Sequence, residues 1–281
     1  MLSLLRADVY QTLRSRWFRG VLIFLAAMAL VFGLTYRFMP GNNTEFIEAD
    51  TQALYSARAF QGLTTSDANI LLGAGLVTCV VGMVAAQVVC SELDSGWART
   101  LLTARRNRLS WAGEKCLFVA LLSAFYVLVG FALDVAGQLV AGYPVLNPES
   151  ATQVAGWLAC VWLVTTVWAE IVVLVCAALR SKSLGIAFAI FLASGLAGAL
   201  FVQAIMAVFG LFAPGDVTGA LTASQWLPLT ALEATKQGAV AVFSTADPTG
   251  VMPLVRAAVT CVPLGLLVSA ACALVCSRKD V

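Results

Sequence analysis

An all-α, polytopic membrane protein with six transmembrane helices is the fold this sequence predicts, and three observations predict it. Of its 281 residues 60% are hydrophobic and only 11% charged, with a mean hydropathy of +0.90, far from the soluble average of about a quarter charged. Six apolar runs have the roughly 20 residues that carry a helix across a hydrocarbon layer. The bases fall in alternate connections: Arg6, Arg14, Arg16, Arg19, Arg99, Arg105, Arg106, Arg108, Lys115, Arg180, Lys182, Arg278 and Lys279 on one side, only Arg37, Arg58, Lys236 and Arg256 on the other. Lys and Arg excess marks the cytoplasmic side, so both termini are expected in the cytosol. The net charge of +2 is what that rule already requires and gives no reason to expect nucleic acid. Helices are expected because a spanning backbone must satisfy its own hydrogen bonds, and the alternating pattern of a membrane barrel is absent.

Residues 1–16 come first and read as an amphipathic helix lying in the inner interface. Leu2, Leu5, Val9 and Leu13 recur at helical spacing, and Asp8, Gln11 and Arg14 take the polar face. The spans follow at Phe18–Tyr36, Asn69–Cys90, Cys116–Val140, Val154–Leu179, Leu184–Leu211 and Val251–Cys276. The first reads as a retained span, because its apolar core exceeds a signal's 7 to 15 residues and Thr35 to Asn42 offers no small-residue cleavage site. The whole chain, 1–281, reads as one transmembrane domain.

The connections differ in kind. Arg37 to Ala68 is an outer loop with a short helix expected from Glu45 to Ala59, and Gly142 to Gln153, with Pro144 and Pro148, is expected only to turn the chain. Residues 212–250 are too apolar for a solvated loop, carrying Trp226, Leu227, Leu229, Leu232, Val240, Val242 and Phe243. That segment is expected to dip into the outer leaflet or to pack on the spans, where protein covers its backbone. Small residues, Gly73, Gly75 and Gly82 in the second span and Gly185, Ser194, Gly195 and Gly198 in the fifth, stand where helices can approach closely.

Residue types exclude much chemistry. There is no histidine and no C-x-x-C, and all eight cysteines fall in or beside spans, so they read as packing residues. A zinc site or His-based dyad has no ligands to draw on. Glu170, Asp134 and Arg256 lie within spans, well away from their inner ends. Glu170, ten residues before Arg180, falls near mid-bilayer, as a substrate-path acid or a structural hydrogen bond. Asp134 and Arg256 fall near the outer boundary at matching depth, either paired with each other or with Arg256 snorkelling to the headgroups.

The inner connection 91–115 is the one long charged stretch between spans. Glu92, Gly96, Arg99, Leu101, Leu102, Arg108 and Lys115 are spaced E-x3-G-x2-R-x-LL-x5-R-x6-K. Gly96 permits a bend, and Trp97, Leu101 and Leu102 give a short helix an apolar face ringed by bases, suited to a groove on a soluble partner. This pattern, with the basic N-terminal helix and six spans, resembles the permease subunits of ABC-2 type exporters. Glu92, Gly96, the Leu101 and Leu102 pair, Arg108 and Lys115 match the family pattern residue by residue. Trp97, where threonine or serine is usual, and Arg105, where proline is common, depart from it. The opening MLSLLRADVYQTLRSRWF also resembles permeases of small bacterial exporters that give immunity to lantibiotics and other antimicrobial peptides.

The resemblance implies a division of labour. The chain lacks G-x-x-x-x-G-K-[ST], so a separate cytosolic ATP-binding subunit is expected to bind ATP and magnesium, with no cofactor held by this chain. It further implies a second permease, as homodimer or heterodimer, a coupling role for Glu92, Gly96, Trp97, Arg99, Leu101, Leu102, Arg108 and Lys115, and residence in the bacterial inner membrane among lipids. A hydrophobic or amphipathic substrate is expected. The alternative is a secondary transporter or channel using Glu170 and Asp134, for which no internal repeat is found. An intramembrane enzyme is disfavoured, since no paired acid and base stand at one depth.

Overall fold

The computed structural model describes residues 2–38, 59–73, 75–94, 108–212, 217–245 and 249–278. All secondary structure in them longer than a single bridge is helical. The helices are α1 (Leu2–Arg14), α2 (Arg16–Phe38), α3 (Ile70–Gly73), α4 (Leu76–Asp94), α5 (Arg108–Ala141) and α6 (Ala151–Leu179). They continue with α7 (Lys182–Ala193), α8 (Leu196–Phe212), α9 (Val217–Ser224), α10 (Pro228–Lys236), α11 (Ala239–Val242) and α12 (Pro253–Arg278).

Five of these, α2, α4, α5, α6 and α12, are long and apolar enough to cross a membrane. The expected fifth span is the exception. It is broken into α7 and α8, bent by 66°, and the count reaches six only if that pair forms one span. The cause is local: Ser194 caps α7 and Gly195 takes φ +77°, a left-handed conformation that glycine reaches without a β-carbon clash. The second span is also interrupted, with α3 ending before Gly75 at φ +72°. The two interruptions lie side by side, since a β-carbon on Gly75 would stand 3.0 Å from the Ala193 carbonyl oxygen.

Helix ends follow sequence signals. Ser15 accepts the Phe18 N–H at 3.0 Å and starts α2. Ser150 and Gln153 form a reciprocal capping box on α6. Arg180, at φ 50°, closes α6, and Ser181 caps α7 directly after it.

Helix α6 is the centre of the molecule, packed against α12, α4, α5 and α7. It buries Trp157, Val161, Val164, Val172 and Cys176 among the residues of one continuous apolar core. Thr78 and Thr165 share a buried hydrogen bond of 3.0 Å between α4 and α6. Glycines set the closest approaches. A β-carbon on Gly33 would stand 2.5 Å from the Gly137 carbonyl oxygen, and one on Gly137 would stand 2.9 Å from that of Ala29, so α2 and α5 touch backbone to backbone. Gly82 makes room instead for a side chain, since a β-carbon there would stand 2.9 Å from the Ala189 Cβ of α7.

Two ends are distinct. The near end gathers α1, the last turn of α4, the first turns of α5 and the α6–α7 connection. The far end gathers residues 59–73, 142–150, α10 and α11. At the far end, Trp157 donates its indole N–H to the Thr235 carbonyl at 2.8 Å, which holds α10 on α6. The 142–153 connection does more than turn the chain: Phe60 pairs with Val145 in a parallel bridge, and Glu149 grips residues 63 and 64. Of the helix expected over 45–59, residues 45–58 lie outside the described residues, and Ala59 leads into this bridge.

Candidate functional site

The near end contains a buried ion cluster. Lys115, in the second turn of α5, donates from Nζ to Asp8 Oδ2 at 2.6 Å and to Glu92 Oε1 at 2.5 Å. Their side chains are 1%, 1% and 2% exposed. Burying charge is costly unless partners satisfy it, and breaking such a pair strands what remains. The cluster therefore fixes three helices, α1, α4 and α5, at one point. Glu114 adds a third buried carboxylate beside Asp8, with no partner for its Oε2 among the described residues.

This arrangement corrects the expected disposition of α1. Asp8 is expected on the polar face with Gln11 and Arg14; instead Leu5, Asp8 and Thr12, at spacings of three and four, turn inward, while Tyr10 and Leu13 are exposed. The reason is the Lys115 ammonium on the neighbouring helix, a stronger partner for the carboxylate than a helix-face pattern can register. The expected partner-facing surface is corrected at both ends as well, because Glu92 and Lys115 face each other inside the protein. Glu92 lies within α4, which runs to Asp94, and Lys115 lies within α5, which starts at Arg108. Gly96, Trp97, Arg99, Leu101 and Leu102 lie outside the described residues, as do Arg105 and Arg106.

Asp134 and Arg256 do not pair, and Arg256 does not snorkel. Asp134 accepts the backbone N–H groups of Leu71 at 3.1 Å and Leu72 at 3.4 Å, so it caps the short helix α3. Gln138, one turn later, donates to the Ala68 carbonyl at 3.0 Å. Arg256, 3% exposed, donates to Gln225 Oε1 at 3.1 Å and Thr249 Oγ1 at 3.2 Å. Asp134 meets the short helix α3 and Arg256 meets Gln225 and Thr249, partners that a depth argument along two helices does not see. Glu170 is buried against Gly265 of α12, and its Oε2 has no hydrogen-bond partner among the described residues.

Sequence reasoning missed Asp8 as a cluster member and missed Glu149 altogether. Burial works to raise the Glu149 carboxyl, but the Thr64 hydroxyl and the Leu63 and Thr64 N–H groups outweigh it and hold it below its ordinary value. A lone acid beside Ser150 gives no signal in sequence of that grip. Among the described residues no group of three or more metal-ligating side chains is found, and seven cysteines are free thiols.

A family model described as ABC-2 family transporter protein matches residues 14–195. That stretch contains α2 to α7, the ion-cluster members Glu92 and Lys115, and the whole 91–115 connection. Among curated proteins none matches this chain.

Proposed function

Since the chain belongs to the ABC-2 family of transporter proteins, we propose that it exports a hydrophobic or amphipathic substrate, driven through its 91–115 connection by an ATP-binding partner. It is a transport subunit of several membrane-crossing helices, and its family works with a separate ATP-binding subunit. ATP and magnesium belong to that partner. Two permeases and two ATPases form the working particle in the bacterial inner membrane, with the near end in the cytosol, as the basic residues there favour.

One observation carries this reading. The ion cluster joins Glu92 and Lys115, at the two ends of the connection, and ties both to α1. A push on the connection therefore reaches α1, α4 and α5 together and moves them as a body, the kind of two-state change that alternates access. Buried ionic contacts suit this use because they have one geometry and lose heavily if parted. In this reading Glu92 and Lys115 act as clamps at the root of the connection, while Trp97, Arg99, Leu101 and Leu102 meet the partner.

The test places a photo-cross-linker at position 102 and replaces Arg99 or Leu102 by alanine in the co-expressed complex. Capture of the ATP-binding subunit, with hydrolysis uncoupled from export in the alanine variants, is the expected result. A functioning particle purified with no ATPase attached, or unaltered coupling in both variants, overturns the reading. The rival use of Asp134 as an ion carrier draws no support, since both its oxygens accept from α3.

A further inference from the structure

Between α2 and α4, at the near end, lies a groove of about 420 Å³ lined by Arg16, Trp17, Gly20, Phe24, Val80 and Met83. Its floor is apolar and its mouth is basic. Lys182 Nζ stands 5.8 Å from the centre of the Trp17 ring, and Arg16, the residue before Trp17 in α2, lines the groove itself. Phe18, Val21 and Leu25 of α2 are packed in the core, whereas Trp17 and Phe24 are exposed, and a β-carbon on Gly20 would meet nothing within 4 Å. The groove opens on the outward side of α2, a helix that also leaves Ile23, Leu30, Val31 and Leu34 exposed.

We propose that this groove seats an anionic phospholipid, its phosphate between Arg16 and Lys182 and one acyl chain running along Gly20 and Phe24. The order of chemistry along α2 is cation, indole, then hydrocarbon, which is the order of phosphate, interface and acyl chain in a leaflet. Tryptophan settles at headgroup level, and basic pockets between spanning helices hold anionic headgroups. Asp94, at the end of α4, and Lys182 both act on the Cys90 thiol, while Arg16 lines the groove itself.

Charge also decides between occupants. A second copy docked about a two-fold axis sets the same patch against itself, which brings Arg16 and Lys182 toward their own counterparts. A water-soluble partner is disfavoured because the floor belongs to two helices apolar enough to span a membrane.

The experiment is native mass spectrometry of the purified full chain released from detergent after incubation with phosphatidylglycerol or phosphatidylcholine. The wild type is expected to retain phosphatidylglycerol in preference, and Arg16→Ala and Lys182→Ala each to weaken retention by about fivefold. Gly20→Leu, whose β-carbon meets nothing within 4 Å, fills the groove and is expected to abolish retention at an unchanged melting temperature. Equal retention of the two lipids by the wild type, or undiminished phosphatidylglycerol retention by a folded Gly20→Leu, overturns the proposal. So does a Gly20→Leu variant that breaks a dimer while its lipid retention stays as in the wild type.

Discussion

The Lys115 ammonium meets the Asp8 carboxylate at 2.6 Å although 107 residues separate them in the chain. That contact pins the first helix to the start of the helix following the charged connection.

Replacing Lys115 by methionine leaves Asp8 and Glu92 buried without their cation. A loss of about 3–5 kcal/mol is expected for breaking a buried pair from one side. The triple variant Asp8→Asn, Glu92→Gln, Lys115→Met is expected to recover most of it, because no charge is then stranded. Thermal unfolding of the purified chain, followed by its size-exclusion peak, checks both; additive losses in the triple variant contradict the clamp.

At the far end, the Glu149 carboxyl is held below its ordinary value by three hydrogen-bond donors. Its contribution to stability is therefore complete above the unfolded value, near 4.5, and is lost as pH falls through the lower folded value. Glu149→Gln is expected to lower stability at neutral pH and to flatten the acid limb of the profile. A profile identical to that of the wild type below pH 5 contradicts this assignment.

Asp134 and Arg256 serve different partners, so their substitutions are expected to be independent. Asp134→Ala strands two N–H groups of α3 and costs about 1–3 kcal/mol. The double-mutant cycle with Arg256→Ala is expected to show a coupling below about 0.5 kcal/mol. A larger coupling would restore the ion pair that their matching depths suggest.

The contact of α2 with α5 tolerates no side chain at its closest point. Gly33→Ala and Gly137→Ala are each expected to cost about 1–3 kcal/mol by overpacking against backbone. Gly113→Ala, in open space, is the control and is expected to be neutral or mildly stabilising. Urea unfolding in detergent micelles separates the two classes.

The sequence made the spans legible because their signal is length and composition, which need no knowledge of neighbours. Arg16–Phe38 and Ala151–Leu179 fall within a few residues of the apolar runs that announce them. The break at Ser194 and Gly195 was present in the sequence, but small residues in a membrane helix equally announce close packing, as Gly82 does against Ala189. Periodicity placed Asp8 with the polar residues of α1 because polar pattern does not tell water from a buried ammonium. Matching depth suggested Asp134 with Arg256, and failed because depth along two helices fixes neither their rotation nor the loop residues that reach them first. Glu149 needed residues 63 and 64 folded beneath it, a contact across 85 residues.

Gly75 and Ala193 bring two gaps in the backbone ladder to the same level of neighbouring elements. Ile70–Gly73 and α8 are therefore short pieces whose breaks from α4 and α7 meet at one contact. A swing there leaves the hydrogen-bond ladders of α4 and α7 closed, but on the α3 side it must also part Leu71 and Leu72 from Asp134.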